Sequence, residues 1–218
     1  MYDTILFDLD GTLTDSGLGI TKGVQYALEQ MGYEVPPREE LFSFIGPPLH
    51  KSFQRHCGID EEAAKEMVRL FRVYYNEMGG ILENEVYEGI RELLAELKRG
   101  GKRLVIATSK PQAAAELVMH HFGLDEWVPE IIGGTDDPRR NTKGKVIAWA
   151  LRELGIRPET AVMVGDREHD IHGAAENNIP AIGITWGYGD RAELESAGAK
   201  AVFDTPKETV DYILRGSF

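Results

Sequence analysis

The chain has 218 residues, of which 42% are hydrophobic and 28% charged, a balance that suits one large domain or a domain with a smaller one inserted. A net charge of −12 argues against nucleic acid or an anionic membrane as the main partner. The one cysteine, Cys57, excludes an internal disulfide and fits a reducing compartment, and with no leader-like start and no apolar run of bilayer length the expectation is a cytoplasmic protein.

Ile5-Leu6-Phe7 do not alternate with polar residues, which predicts a strand buried on both faces. It runs into Asp8-Leu9-Asp10-Gly11-Thr12. Two carboxylates ~4 Å apart at an effective dielectric near 20 repel by about 4 kcal/mol, so a cation or a proton has to offset them. Taken alone, the pair reads equally well as turn or helix-capping acids. From Gly17 to Met31, Ile20, Val24, Ala27, Leu28 and Met31 fall at helical spacing, and Gly32 and Pro36-Pro37 stop the pattern. Helices are predicted over 38–44 and 49–57, the latter after Ile45-Gly46-Pro47-Pro48. A longer one follows, capped by Asp60 and running to about Met78. Residues 16–85 therefore form an all-helical block.

The texture changes at Val86. Helix 89–98 is followed by a short buried strand, Leu104 to Ala107, ending in Thr108-Ser109-Lys110-Pro111, and Pro111 is expected at the first position of the next helix. Further strands are predicted at 131–132, 161–164, 181–184 and 201–203, with helices over 112–122, 143–154, 168–177, around Glu193 and over 207–214. Strands alternating with helices imply a Rossmann-like parallel sheet with right-handed crossovers. The first strand cannot bury itself alone. Residues 1–15 and 86–218 are thus the expected α/β core, and the helical block is an insert placed as a lid at the carboxyl edge of the sheet.

Chemistry collects at the predicted strand ends. Asp8 and Asp10 close the first, Thr108 and Ser109 the second, Asp166 and then Asp170 a later one, and Lys143 opens a helix. Hard carboxylate oxygens without sulfur or paired imidazoles favour Mg²⁺ over zinc, and Mg²⁺ takes few carboxylates together with a phosphate oxygen. A phosphorylated substrate is the natural ligand, with Thr108 donating to a phosphate oxygen and Lys143 supplying charge. Lys145 is a rival for that charge; Lys143 is preferred because it stands at the helix start. In the helical block, the rigid Gly46-Pro47-Pro48 loop and the following His50 and Lys51 read either as a plain linker or as the part that meets the substrate's leaving group.

Asp8-Leu9-Asp10-Gly11-Thr12 resembles the first motif of the haloacid dehalogenase superfamily. Thr108, Lys143 and Gly165-Asp166-Arg167-Glu168-His169-Asp170 resemble its second, third and fourth, in the family's order. The helical insert resembles the first cap class of that family. The resemblance implies an α/β fold with an inserted α-helical cap, and hydrolysis of a phosphate monoester. It implies Asp8 as nucleophile through an aspartyl-phosphate, and Asp10 as acid and then base. Mg²⁺ is implied on Asp8, the carbonyl of Asp10, Asp166 and Asp170, the last directly or through water. Phosphoryl-binding roles follow for Thr108 and Lys143, with Gly11, Thr12, Ser109, Gly46, His50 and Lys51 as further substrate contacts. An acid at Asp10 argues against a true dehalogenase.

The pattern looks like phosphoglycolate phosphatase and 5′-nucleotidase-like members. The expected partner is a small phosphorylated metabolite, and the expected state a monomer or homodimer. A phospho-acceptor signalling module is the alternative from another class. It is disfavoured because such modules lack a cap insert and place the acceptor Asp on a later strand. A non-catalytic phosphometabolite-binding protein is disfavoured because every motif residue is present.

Overall fold

A computed structural model describes residues 2–215. The chain divides into two units, one formed by Met1–Thr14 and Val86–Phe218, the other by Asp15–Glu85. It starts with strand β1 (Thr4–Phe7), whose four residues are all buried, and passes through the short β2 (Thr14–Asp15).

The second unit is helical: α1 (Gly17–Gln30), α2 (Arg38–Leu41), α3 (Leu49–Cys57) and α4 (Glu61–Arg72). Asp60 caps α4, its Oδ1 accepting from the Ala63 amide at 2.9 Å. Gly58, with φ +66°, ends α3 in the left-handed conformation. Leu28, Phe44, Phe53 and Met67 are fully or almost fully buried and make the unit's core. Two expected helices are divided. The helix over 38–44 becomes α2 and a 3₁₀ turn, Phe42–Phe44. The helix expected to reach Met78 is α-helical only to Arg72 and widens to a π turn over Val73–Glu77. The wider turn serves two adjacent tyrosines at once. Tyr75 is buried and stacks on Phe71 at 5.1 Å, while the Tyr74 hydroxyl donates to Glu83 Oε2 at 2.9 Å.

The chain leaves this unit through β3 (Glu85–Val86), which pairs with β2 as a two-stranded sheet. It then alternates helix and strand: α5 (Ile90–Arg99), β4 (Arg103–Pro111), α6 (Gln112–His121), β5 (Glu130–Gly134), α7 (Lys143–Glu153), β6 (Ala161–Gly165), α8 (Glu168–Ala175), β7 (Ala181–Ile184), α9 (Arg191–Ser196), β8 (Ala201–Phe203) and α10 (Pro206–Arg215). The sheet has the order β5-β4-β1-β6-β7-β8 with every pairing parallel. This is the Rossmann-like arrangement of strands and flanking helices read from the sequence.

The order explains where a site can form. The chain builds outward from β1 through β4 to β5, then returns to the other side of β1 for β6, β7 and β8. The reversal falls at β1, and crevices in open parallel sheets lie at such reversals, outside the carboxyl ends of the strands. β1 is held there by register on both sides: Ile5 faces Leu104 and Val162, and Phe7 faces Ile106 and Val164. Leu6 packs with Val105, Val146, Ile147, Met163 and Ile171. Among the described residues, no helix is long and apolar enough to cross a membrane.

One placement differs from expectation. Pro111 is the last residue of β4 and precedes α6; it is not the helix's first position, because its ψ of 140° is extended. β4 therefore includes Thr108, Ser109 and Lys110.

Leu6→Ala is expected to cost about 2–5 kcal/mol of stability, the range for emptying a packed leucine site. Urea denaturation would show it as a lower midpoint with an unchanged slope.

Candidate active site

β1 delivers Asp8, whose amide donates to the Val164 carbonyl at 3.0 Å and so keeps it in line with β6. The chain then turns back. Gly11 takes φ +84°, and its amide donates to the Thr14 carbonyl at 2.8 Å. A side chain here would also run into the Asp166 carboxylate, so glycine is required twice over. The turn leaves Thr12 fully buried, with its hydroxyl donating to Asp166 Oδ1 at 3.1 Å.

β6 delivers Asp166, which has no exposed surface. Its second oxygen, Oδ2, accepts from the Tyr188 amide at 2.9 Å. Trp186 Nε1 donates to the Thr12 carbonyl at 3.0 Å, so the segment after β7 fixes both the aspartate and the threonine bound to it. Asp170 lies in the first turn of α8, and its Oδ2 accepts from the Arg167 amide at 3.1 Å, closing the helix start. Gly165 has no side chain because any Cβ would strike the Asp170 carboxyl.

α7 opens with Lys143. Its ammonium donates to the Ala107 carbonyl at 3.1 Å and lies 2.7 Å from both Asp8 Oδ1 and Asp170 Oδ1. These two carboxylate oxygens are closed off from solvent and accept no hydrogen bond of directional geometry; the ammonium meets them as an ion pair.

Asp8, Asp166 and Asp170 each offer an oxygen, all within 4.8 Å of one another. Three buried carboxylates face one ammonium, an excess of two negative charges. A divalent cation fits that excess, and the two oxygens without a directional donor are suited to ligate it. The donor set is oxygen only, which favours hard cations over zinc.

Residues 5–184 match the family of haloacid dehalogenase-like hydrolases. The chain belongs to that family. Among its relatives is a 5′-nucleotidase of Pseudomonas aeruginosa, 42% identical over 195 residues that make up 89% of this chain and 88% of that protein. Another is the tyrosine-protein kinase PtkA of Mycobacterium tuberculosis, 38% identical over 95% of this chain and 69% of its own length. The crystal structure of a predicted phosphatase from Clostridium acetobutylicum superposes with a TM-score of 0.94 at 42% identity, covering 99% of each chain. The enzyme class expected from the four motifs, a phosphatase of the haloacid dehalogenase-like hydrolases, agrees with the family match, with the 5′-nucleotidase and with the Clostridium acetobutylicum structure.

The residues read from the sequence fall into three groups. Asp8, Asp166 and Asp170 converge, and Lys143 pairs with Asp8 and Asp170. Asp10, Gly11, Thr12 and Thr108 belong to the same carboxyl edge, but the Asp10 carboxylate is not part of the acidic triad; both its oxygens accept from Lys110 Nζ at 3.0 Å. The Thr108 hydroxyl is buried and accepts from the Lys110 amide at 3.2 Å, while Ser109 is exposed. Gly46, His50 and Lys51 belong to the helical unit, all exposed. Lys145 is exposed and donates to the Pro138 carbonyl and Asn141 Oδ1, away from the carboxylates. His169, half buried and held below its ordinary pKa by burial, is not one of the triad. Sequence reasoning missed Lys110, Trp186 and the Tyr188 amide. Lys110 could have been found by continuing the strand past Ala107, since Thr108 inward and Ser109 outward puts Lys110 inward. A backbone amide leaves no such signal.

The electrostatics of this hydrolase follow from burial and crowding. Burial pushes Asp166 well up, and the charges of Asp170 and Asp8 add to it. Burial raises Asp170 to about 6, against the opposing pull of Lys143. Burial alone would lower Lys143, but Asp170 and Asp8 outweigh it and hold the ammonium protonated.

Raised acids keep their protons to higher pH in the metal-free fold, so a cation must displace protons below that point. Divalent-cation affinity, measured by titration calorimetry, is expected to strengthen from pH 5 to pH 7.5 with proton release. An affinity flat across that range would contradict the assignment of these carboxylates as its ligands.

Proposed function

We propose that this chain is a Mg²⁺-dependent hydrolase of small phosphate monoesters that works through a phosphorylated Asp8. The observation that carries the reading is the contact of Asp8 and Asp170 with Lys143 at the carboxyl edge of the sheet, with Asp166 beside the two carboxylates, in a chain of this family.

Asp8 attacks phosphorus, and the bond from phosphorus to the ester oxygen breaks. Asp10 gives its proton to that oxygen. In the second half a water attacks phosphorus, Asp10 takes the water's proton, and Asp8 is restored. Lys143 and the Thr108 hydroxyl face the phosphoryl oxygens, with the backbone at Gly11 and Thr12 and the side chain of Ser109 as further contacts. Bound at Asp8, Asp166, Asp170 and the Asp10 carbonyl, Mg²⁺ would supply positive charge against the phosphoryl group. The ammonium of Lys143, 2.7 Å from Asp8 Oδ1, sets positive charge beside the attacking carboxylate.

The helical unit, residues 16–85, is read as the cap that selects the ester, with Gly46, His50 and Lys51 as its contacts. The name of the Pseudomonas aeruginosa relative supports nucleoside monophosphates as the first substrates to try, with phosphoglycolate beside them. The name of the Mycobacterium tuberculosis relative favours a second reading, phosphoryl transfer onto a protein. Release of inorganic phosphate from small esters separates the two.

In a phosphate-release assay with Mg²⁺ across nucleoside monophosphates, phosphoglycolate, sugar phosphates and pyrophosphate, Asp8→Asn is expected to lower turnover on the best substrate by on the order of 10⁴-fold or more. Its circular dichroism would stay that of the wild type. Wild-type turnover in the variant would exclude Asp8 as nucleophile.

A further inference from the structure

We propose that Lys110 is the positioning residue for proton transfer by Asp10. The inference rests on the acid–base reading of Asp10 given above. Lys110 is buried, with only 3% of its side chain exposed. An ammonium with so little water around it needs a carboxylate as partner. That partner is Asp10, and the contact is symmetric, with Nζ donating to Oδ1 and to Oδ2 at the same 3.0 Å. A charge-assisted contact to both oxygens fixes the plane of the carboxylate as well as its position.

The backbone accounts for the placement. The pairing of β4 with β5 shifts register between Ala107 and Pro111, and the Lys110 amide donates to the Thr108 hydroxyl across this irregularity. Such a kink re-aims side chains near active sites. Here it leaves Thr108 and Lys110 buried and Ser109 exposed.

Two lysines thus divide the carboxylates. Lys143 takes Asp8 and Asp170, and Lys110 takes Asp10. Asp10 is also outside the group of carboxylates whose oxygens converge for a cation. The division keeps one acid of the pair free for protons while its neighbour attacks.

In the first half-reaction the Asp8–phosphorus bond forms and the bond to the leaving oxygen breaks. The leaving oxygen takes the proton of Asp10, and the electron pair stays on the carboxylate facing Lys110. In the second half, water's oxygen bonds to phosphorus, the Asp8–phosphorus bond breaks, and the proton from water returns to Asp10. Lys110 itself transfers nothing.

A leaving group that needs no proton separates this role from a general structural one. The experiment measures kcat/KM, with Mg²⁺ present, for p-nitrophenyl phosphate and for an alkyl phosphate, in the wild type, Lys110→Met, Lys110→Arg and Asp10→Asn. Lys110→Met is expected to lose about 10²-fold on the alkyl ester, the lower range for general acid catalysis, and about ten times less on the aryl ester. Lys110→Arg should recover most of the alkyl loss. Equal losses on both esters, the result if Lys110 only supports the fold or only binds the phosphoryl group, would overturn the proposal, as would no loss on the alkyl ester. Asp10→Asn separates the two levels of the argument. If it does not split the esters, the acid–base reading of Asp10 fails and this inference with it. If it splits them and Lys110→Met does not, the inference about Lys110 alone is wrong.

Discussion

One buried ammonium holds the site together. Lys143 lies 2.7 Å from oxygens of both Asp8 and Asp170, at a place where Asp166 adds a third carboxylate. Without it, three like charges would share a volume with almost no water. With it, the cluster still carries excess negative charge, and burial raises Asp166 and Asp170 accordingly. The arrangement therefore works against stability in the metal-free fold, since desolvating charged groups seldom returns its cost. Such clusters persist where a function uses them.

The surrounding backbone carries that cost. Asp166 has both oxygens fixed, by the Thr12 hydroxyl and the Tyr188 amide, and Trp186 in turn fixes Thr12. Glycines stand where a methyl group would break the packing: Gly11 against Asp166, Gly165 against Asp170, and Gly173 against the stem of Lys143. The contacts of Gly11 and Thr12 with Asp166, and of Trp186 with Thr12, join segments far apart in the chain that the sheet brings together by placing β1 beside β6. The sheet order is what turns separated motifs into one site.

That dependence explains what could be read from the residues alone. The uninterrupted apolar runs at Ile5–Phe7 and Ala161–Val164 are unambiguous strands, and the acids at their ends stand out because charge rarely follows such a run. Thr108 and Lys143 have little local signal beyond standing at a strand end and a helix start, and the family's ordered motifs sharpen both. Lys110 is hidden in the sequence because the apolar run ends at Ala107, whereas β4 continues to Pro111. The Tyr188 amide and the Trp186 indole were not legible at all, since both act through the tertiary fold. In the helical unit, the π turn at Val73–Glu77 interrupts an amphipathic pattern that continues through it without a break in composition.

The central claim is that Asp8, and not its neighbour Asp10, takes the phosphoryl group. Asp10→Asn, given p-nitrophenyl phosphate and Mg²⁺, should form the acyl phosphate from a leaving group that needs no proton and then hydrolyse it slowly. Acid quenching, borohydride reduction and peptide mass spectrometry would convert a phosphorylated aspartate into homoserine at its position. The account predicts homoserine at residue 8. Homoserine at another aspartate, or none while p-nitrophenol is released in a burst, would contradict it.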